Sequence, residues 1–240
     1  MKKIINTQVN VFFPKVVNQR EKFLSNEKIL NDYFLNATVI SIPEQIQEEI
    51  PRIITQTKGG HSTLSLSLNR ATFSTNYNGK YCEEWDLCKE YISKRIEKIN
   101  ELVDILTDKR KYFVGLTVAI EYSDLRETGL DMMKKSFFGN NKTLERLYNS
   151  RCDFVFVEDE KYYLNIIMQN GRKSINQYGN IINGELSNSI IVNIDMNDRY
   201  ARNEDLTYNS DIKNIDDILL YVGNFINSKL ENIVQNGKFD

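Results

Sequence analysis

One histidine, one tryptophan, three cysteines and three prolines are all that 240 residues contain of those types. A zinc site of the structural kind needs four Cys or His ligands at tight spacing. His61, Cys82, Cys88 and Cys152 supply too few, too far apart. The cysteines are odd in number and form no CxxC pair, which fits a reducing, cytoplasmic setting rather than a disulfide framework. The charge is nearly balanced, 31 basic against 33 acidic side chains, so no broad electrostatic footprint for a polynucleotide is expected. No apolar run reaches membrane-spanning length. The opening MKKIINTQVNVFF is interrupted by Asn6, Gln8 and Asn10 and reads as a strand rather than a signal peptide. The motifs GxGxxG, GK[ST] and GxSxG are missing, which disfavours phosphate-cradling loops and a nucleophile elbow.

What is present is hydrophobic periodicity. Trp85, Cys88, Ile92, Ile96, Ile99, Val103 and Leu106 recur at three- and four-residue spacing and predict a long helix over Cys82–Leu106. Glu83, Glu84 and Asp86 fall in its first turn, where acidic groups meet the positive end of the helix dipole. Alternation predicts strands over Thr7–Phe13, Ala37–Ile42, Arg52–Gln56, Thr63–Leu68, Ala71–Tyr77 and Tyr112–Ile120. It predicts further strands at Cys152–Phe156, Tyr162–Met168 and Ile190–Met196. Gln19–Phe34 reads as a helix burying Phe23, Ile29, Leu30 and Phe34, and Asp124–Ser150 as a helical connector broken at Gly139-Asn140-Asn141. Gly171–Glu185 reads as a Gly- and Asn-rich loop suited to mobility. A closing helix buries Ile218, Leu219, Val222, Phe225, Ile226, Leu230 and Ile233, with Asn214 as its cap and Asp217 at the capping-box position.

Strands and helices segregate, so the expected class is α+β, with antiparallel sheets covered on one face by long amphipathic helices. On this reading the order hairpin, helix, strand runs twice along the chain. That divides it into an N-terminal half (1–125), a helical connector (126–150) and a C-terminal half (151–240) that could be related by duplication.

Asn69–Tyr77, then Gly79, Glu83-Glu84-Trp85, the long helix, Val114-Gly115-Leu116-Thr117, Val192-Asn193-Ile194-Asp195 and the helix Asp216–Ile233 together resemble a sporadically distributed family of uncharacterised bacterial proteins. The resemblance spans nearly the whole chain. Thr117 stands where that family carries Arg, and the aromatic–Glu order around Trp85 is altered. The family transfers no activity, cofactor or site residue. It implies a bacterial or phage-borne accessory protein, sometimes encoded near mobile or defence genes.

The residues offer three kinds of chemistry. Glu83, Glu84, Glu121, Asp124, Asp195 and Asp198 lie near element ends and could converge on a magnesium ion for phosphodiester or nucleotide chemistry. Asp153 with Glu158-Asp159-Glu160-Lys161 loosely follows the acidic–lysine pattern of a metal-dependent nuclease, although such residues on a turn are usually just solvated. Lys109-Arg110-Lys111, Lys134-Lys135, Arg70, Lys80, Arg172 and Lys173, with Tyr162, Tyr163 and Tyr178 as stacking rings, are the elements of a nucleic-acid surface. His61, alone at a hairpin end, is the only neutral-pH proton shuttle, and could pair with Cys82 or Cys152. Against these stand the polar face of the Leu68–Tyr77 hairpin and the loop around Tyr178-Gly179-Asn180, which suit a protein or small ligand. The expectation is therefore a non-enzymatic binding or regulatory component that partners another protein or itself. No catalytic, metal or cofactor-binding residue is assigned, no cofactor is expected, and no membrane partner is expected.

Overall fold

The computed structural model describes residues 1–43, 45–139, 144–172, 175–177, 180–182 and 185–239. Nine strands form one sheet in which every pairing is antiparallel. They are β1 (Lys2–Phe12), β2 (Thr38–Val39), β3 (Ile53–Gln56), β4 (Ser62–Leu66), β5 (Arg70–Asn76), β6 (Phe113–Tyr122), β7 (Arg151–Glu158), β8 (Tyr162–Arg172) and β11 (Leu186–Asn197). Their order across the sheet is β2-β3-β4-β5-β1-β6-β11-β8-β7, and the short strands β9 (Ile175–Gln177) and β10 (Asn180–Ile182) pair with each other. The α+β class and the antiparallel sheet are thus as expected.

Alternation in the strands becomes a two-faced sheet. Val9 and Val11 of β1, Leu64 and Leu66 of β4, Ala71 and Phe73 of β5, and Val114, Leu116, Val118 and Ile120 of β6 are buried on one face. Leu164, Ile166 and Met168 of β8 and Ile190, Val192, Ile194 and Met196 of β11 continue that face. Against it lie α2 (Trp85–Thr107) and α5 (Ile212–Ser228), with α6 (Leu230–Asn236) following α5. The hydrophobic stripes read from the sequence, Trp85 to Leu106 and Ile218 to Ile233, are the buried ones. Trp85 joins the two long helices. Its indole N–H donates to the Leu219 carbonyl at 3.3 Å. A Cβ on Gly223 would come 2.3 Å from its Nε1. Only glycine lets α5 sit this close to the indole.

Several expectations are corrected. The helix after β1 is α1 (Gln19–Asn26), followed by a 3₁₀ turn over Glu27–Leu30 rather than one helix to Phe34. The strand expected at Ala37–Ile42 shrinks to β2, because Arg20 binds the carbonyls of Ile40 (2.8 Å) and Ile42. The stretch Gly79–Cys82 is a 3₁₀ turn, so α2 begins at Trp85, and Glu83 and Glu84 precede it. Among its described residues the connector holds α3 (Gly129–Met133) and a π turn over Lys134–Phe138 rather than a long helix; Asn140 and Asn141 lie outside the described residues. Asn214 is not the cap of α5. Asp211 is, accepting from the Lys213 amide, while Asn214 points inward one turn later. Asp217 accepts instead from the Tyr162 hydroxyl at 3.3 Å. The second half runs hairpin, strand, helix (β7–β8, β11, α5), so the order of the first half is not repeated. Within Gly171–Glu185, expected as loop, Gly171 and Arg172 extend β8 and β9–β10 form a hairpin, with Lys173, Tyr178 and Gly179 outside the described residues. Among the described residues no helix is long and apolar enough to cross a membrane.

Candidate interaction face of the sheet

The helices leave one face of the sheet uncovered, and the register places its side chains in rows. One row crosses eight strands: Gln56, Thr63, Ser74, Gln8, Thr117, Asp195, Asn165 and Val155. The next row is Ile54, Ser65, Thr72, Asn10, Gly115, Asn197, Tyr163 and Val157. At the usual strand spacing each row is about 34 Å long. The side chains are mainly amides and hydroxyls, and many are tied to one another. Asn10 Oδ1 accepts from Thr72 at 2.8 Å and from Gln8 at 3.2 Å. Asp195 is the hub of the other half. It accepts from Thr117 at 3.2 Å, Asn165 at 2.9 Å and Asn197 at 2.9 Å. Gly115 makes room for this array, since a Cβ there would meet the Asn197 Cβ at 2.8 Å. Such a face is pre-ordered and costs little side-chain entropy when it binds.

The face is charge-balanced. Lys3, Arg70 and Arg151 stand against Glu121, Asp153 and Asp195. One end carries rings: Phe12 stacks on Phe113 with centroids 4.2 Å apart, and the Arg70 and Arg199 guanidinium carbons each lie 5.6 Å from one of that pair. Tyr163 meets Tyr200 edge-on at 5.3 Å beside them. At the other end, where β6 and β8 finish and β11 begins, a cleft of about 560 Å³ is lined by Glu121, Asp124, Arg172, Ser187, Asn188 and Ser189, among others.

Of the carboxylates picked from the sequence, Glu121 and Asp124 share the rim of that cleft, while Asp195 and Asp198 lie apart from it and from each other. Asp198 is fully buried on the helix side, away from Asp195. It accepts from the Val114 amide (2.6 Å), Tyr208 (2.8 Å), Ser210 (2.5 Å) and Asn214 (2.7 Å), which makes it a joint between β6, β11 and α5. Glu121 is four residues along β6 from the Thr117 that faces Asp195, about 13 Å away. Asp153 pairs with Arg151 at 2.9 Å, near the far end of β7 from the Glu158–Lys161 turn. No group of three or more His, Cys, Asp or Glu among the described residues could hold a metal ion.

Part of the expected basic surface is engaged by groups of the same chain, while Lys80, Lys109 and Arg110 are exposed. Lys111 is buried, with its ammonium 2.5 Å from Asp104 and 2.8 Å from Asn100, locking β6 to the end of α2. Lys134 pairs with Asp131, and Lys135 with Glu127. Arg172 donates to Asn149 and to the Tyr148 carbonyl while lying over the Tyr148 ring. Tyr162 is buried, and burial beside Asp217 pushes its hydroxyl above the usual range, so it offers no stacking ring. Tyr163 remains on the face. His61 is exposed and borders a cavity of about 110 Å³ with Tyr77, Tyr81 and Tyr91. Cys152, on the far edge strand, is six strands from β4, about 29 Å away. Cys88 is buried, donates to the Tyr81 carbonyl at 3.0 Å, and is pushed by burial up to about 12.

The Thr72, Ser74 and Asn76 face of the predicted hairpin belongs to the uncovered surface, as its alternation implied. Gln8, Asn10, Asn165 and Asn197 were not singled out from the sequence. Their signal was available in the polar positions alternating along β1, β8 and β11.

No protein-family model and no curated protein matches the chain. Among solved structures, the Methanococcus jannaschii TBP matches at 11% identity over 95% of this chain and 98% of that one, with a TM-score of 0.29. A likeness that small carries no argument about fold or function.

Proposed function

We propose that the protein is a non-enzymatic binding component whose contact surface is the uncovered sheet face and whose partner is a protein. The observation that carries this reading is the pair of polar rows crossing the sheet, hydrogen-bonded at Asn10 and Asp195 and set on a face whose charges balance. A polynucleotide partner would favour a surface with excess Lys and Arg. Here Lys3, Arg70 and Arg151 are matched by acids on the same face, and Lys111, Lys134 and Lys135 are engaged elsewhere. Amides and hydroxyls with an aromatic and arginine rim suit the backbone and polar side chains of a protein, and Tyr, Phe and Arg are favoured contact residues at such interfaces. An accessory role beside mobile or defence genes is what the family resemblance adds.

The test is site-specific photocrosslinking in the source cell. A crosslinker replacing Thr117 on the face is expected to capture one protein, and Asn10→Arg is expected to abolish that capture. A crosslinker replacing Leu220, exposed on α5, is expected not to capture it. Equal capture from both positions, or capture of nucleic acid from Thr117, would reject the proposal.

A further inference from the structure

The two edges of the sheet differ. β2 is two residues long and offers little ladder to another strand. β7 is eight residues long and, among the described residues, pairs only with β8, on one side. Natural edge strands are commonly blunted by proline, inward-pointing charge, a bulge or brevity. β7 has no proline, and its register with β8 runs unbroken from Arg151↔Gln169 to Glu158↔Tyr162. Its middle is Phe154-Val155-Phe156-Val157. Val155 is 63% exposed and Val157 47%, although both are β-branched residues on a regular strand. The polar rows of the open face therefore end on two exposed valines.

We infer that β7 is a self-pairing edge, and that its occupant is β7 of a second copy of this chain, antiparallel, with Val155 on the two-fold axis. The register follows from side-chain chemistry. An axis perpendicular to the sheet keeps the open faces of both copies on one side, so only registers that pair odd with odd positions are allowed. With Val155 opposite Val155 of the second copy, Phe154 falls opposite Phe156 on the helix side, which makes the centre apolar on both faces. On the open face, Arg151, which within one chain pairs with Asp153, then falls opposite Asp159 at each end, an opposite-charge pair repeated twice by the symmetry. Asp159 stands just beyond the strand with φ +52°, in the turn to β8, so it is placed at the rim of such a junction. Shifting the register by two residues puts Asp153 against Val155 and Arg151 against Val157, and loses both charge pairs.

The junction would carry the Gln56-to-Val155 row of one copy directly into the same row of the other. The uncovered face would then be continuous across the dimer. A single pair of eight-residue strands makes a small interface, so the dimer is expected to be reversible and concentration-dependent. This inference is independent of which molecule the face binds.

Sedimentation velocity of the full chain over a concentration series tests it. The wild-type protein is expected to shift from monomer to dimer. Val155→Lys places like charges opposite each other on the axis and is expected to raise the dimer dissociation constant about tenfold or more. Because Val155 is exposed, the circular dichroism and melting of that variant should match wild type, which separates loss of pairing from loss of fold. Arg151→Asp and Asp159→Arg are each expected to weaken the dimer, and the double exchange to restore it. A strict monomer at every concentration, or a dimer that survives Val155→Lys unchanged, would overturn the inference.

Discussion

Arg52 is among the largest side chains that the fold buries completely, with 1% of its surface exposed. Its guanidinium donates to the carbonyls of Gln47 (2.8 Å), Ile46 (2.9 Å), Pro43 (3.3 Å) and Ile50, so its partners in the described structure are backbone dipoles. The segment from Pro43 to Ile50 buries no side chain of its own among the described residues. It stays in place because Arg52 gathers its carbonyls, with a backbone bond from Leu68 to the Glu48 carbonyl at 3.0 Å as a second tie. Replacing Arg52 by Ala removes four charge-assisted bonds of roughly 1.5–3 kcal/mol each in isolation. Part of that is regained when the freed loop recovers backbone entropy, about 1–2 kcal/mol per residue. A net loss of about 3–5 kcal/mol is expected, the usual size for breaking a buried charged network. Arg52→Lys should lie between, because an ammonium cannot reproduce the planar fork. Urea unfolding gives the magnitude, and hydrogen exchange of residues 45–50 gives the place. Glu48→Ala, which removes only the exposed ion pair with Lys15, should cost under about 1 kcal/mol. An Arg52→Ala change below 1 kcal/mol, or loop amides still protected in that variant, would refute the reasoning.

Gly223→Ala should destabilise by about 1–3 kcal/mol through overpacking against Trp85, and calorimetry should show part of the loss recovered when Trp85→Phe is added. Asp198→Asn should cost about 2–4 kcal/mol in urea unfolding, because an amide group turns one acceptor into a donor among four donors. Burial raises Cys88 from its ordinary value to about 12, so the folded state holds a proton that the unfolded chain releases near pH 9. Stability from this group is therefore complete below pH 9 and falls as pH rises toward 12, with the raised Tyr77 and Tyr122 hydroxyls adding to the fall; thermal melts between pH 7 and 11 measure it. In native thiol titration Cys88 should stay unreactive until the chain unfolds, while Cys82 and Cys152, both partly exposed, react first.

Periodicity along the chain was enough to specify the class, most of the strands, the two long helices and their buried stripes. These depend on which residues can share a face of a helix or strand, and that is a local property. Loop-bound elements were less legible. The strand expected through Ile42 is cut short where Arg20 takes the carbonyls of Ile40 and Ile42 from across the loop, and Arg52 gathers those of the segment just before it. Residue type alone also misassigned the charged groups. Asp198 and Lys111 looked like site residues and are buried joints, while Asp195, three residues before Asp198, lies on the open face. A one-residue change of parity on a strand moves a side chain to the other side of the sheet, and which side is covered depends on where the helices pack. The same holds for the proposed contact face. The alternating Asn, Gln, Thr and Ser positions were present in the sequence, but only the strand order β4-β5-β1-β6-β11-β8 aligns them into rows. That order joins strands more than a hundred residues apart, through pairings that no local pattern encodes.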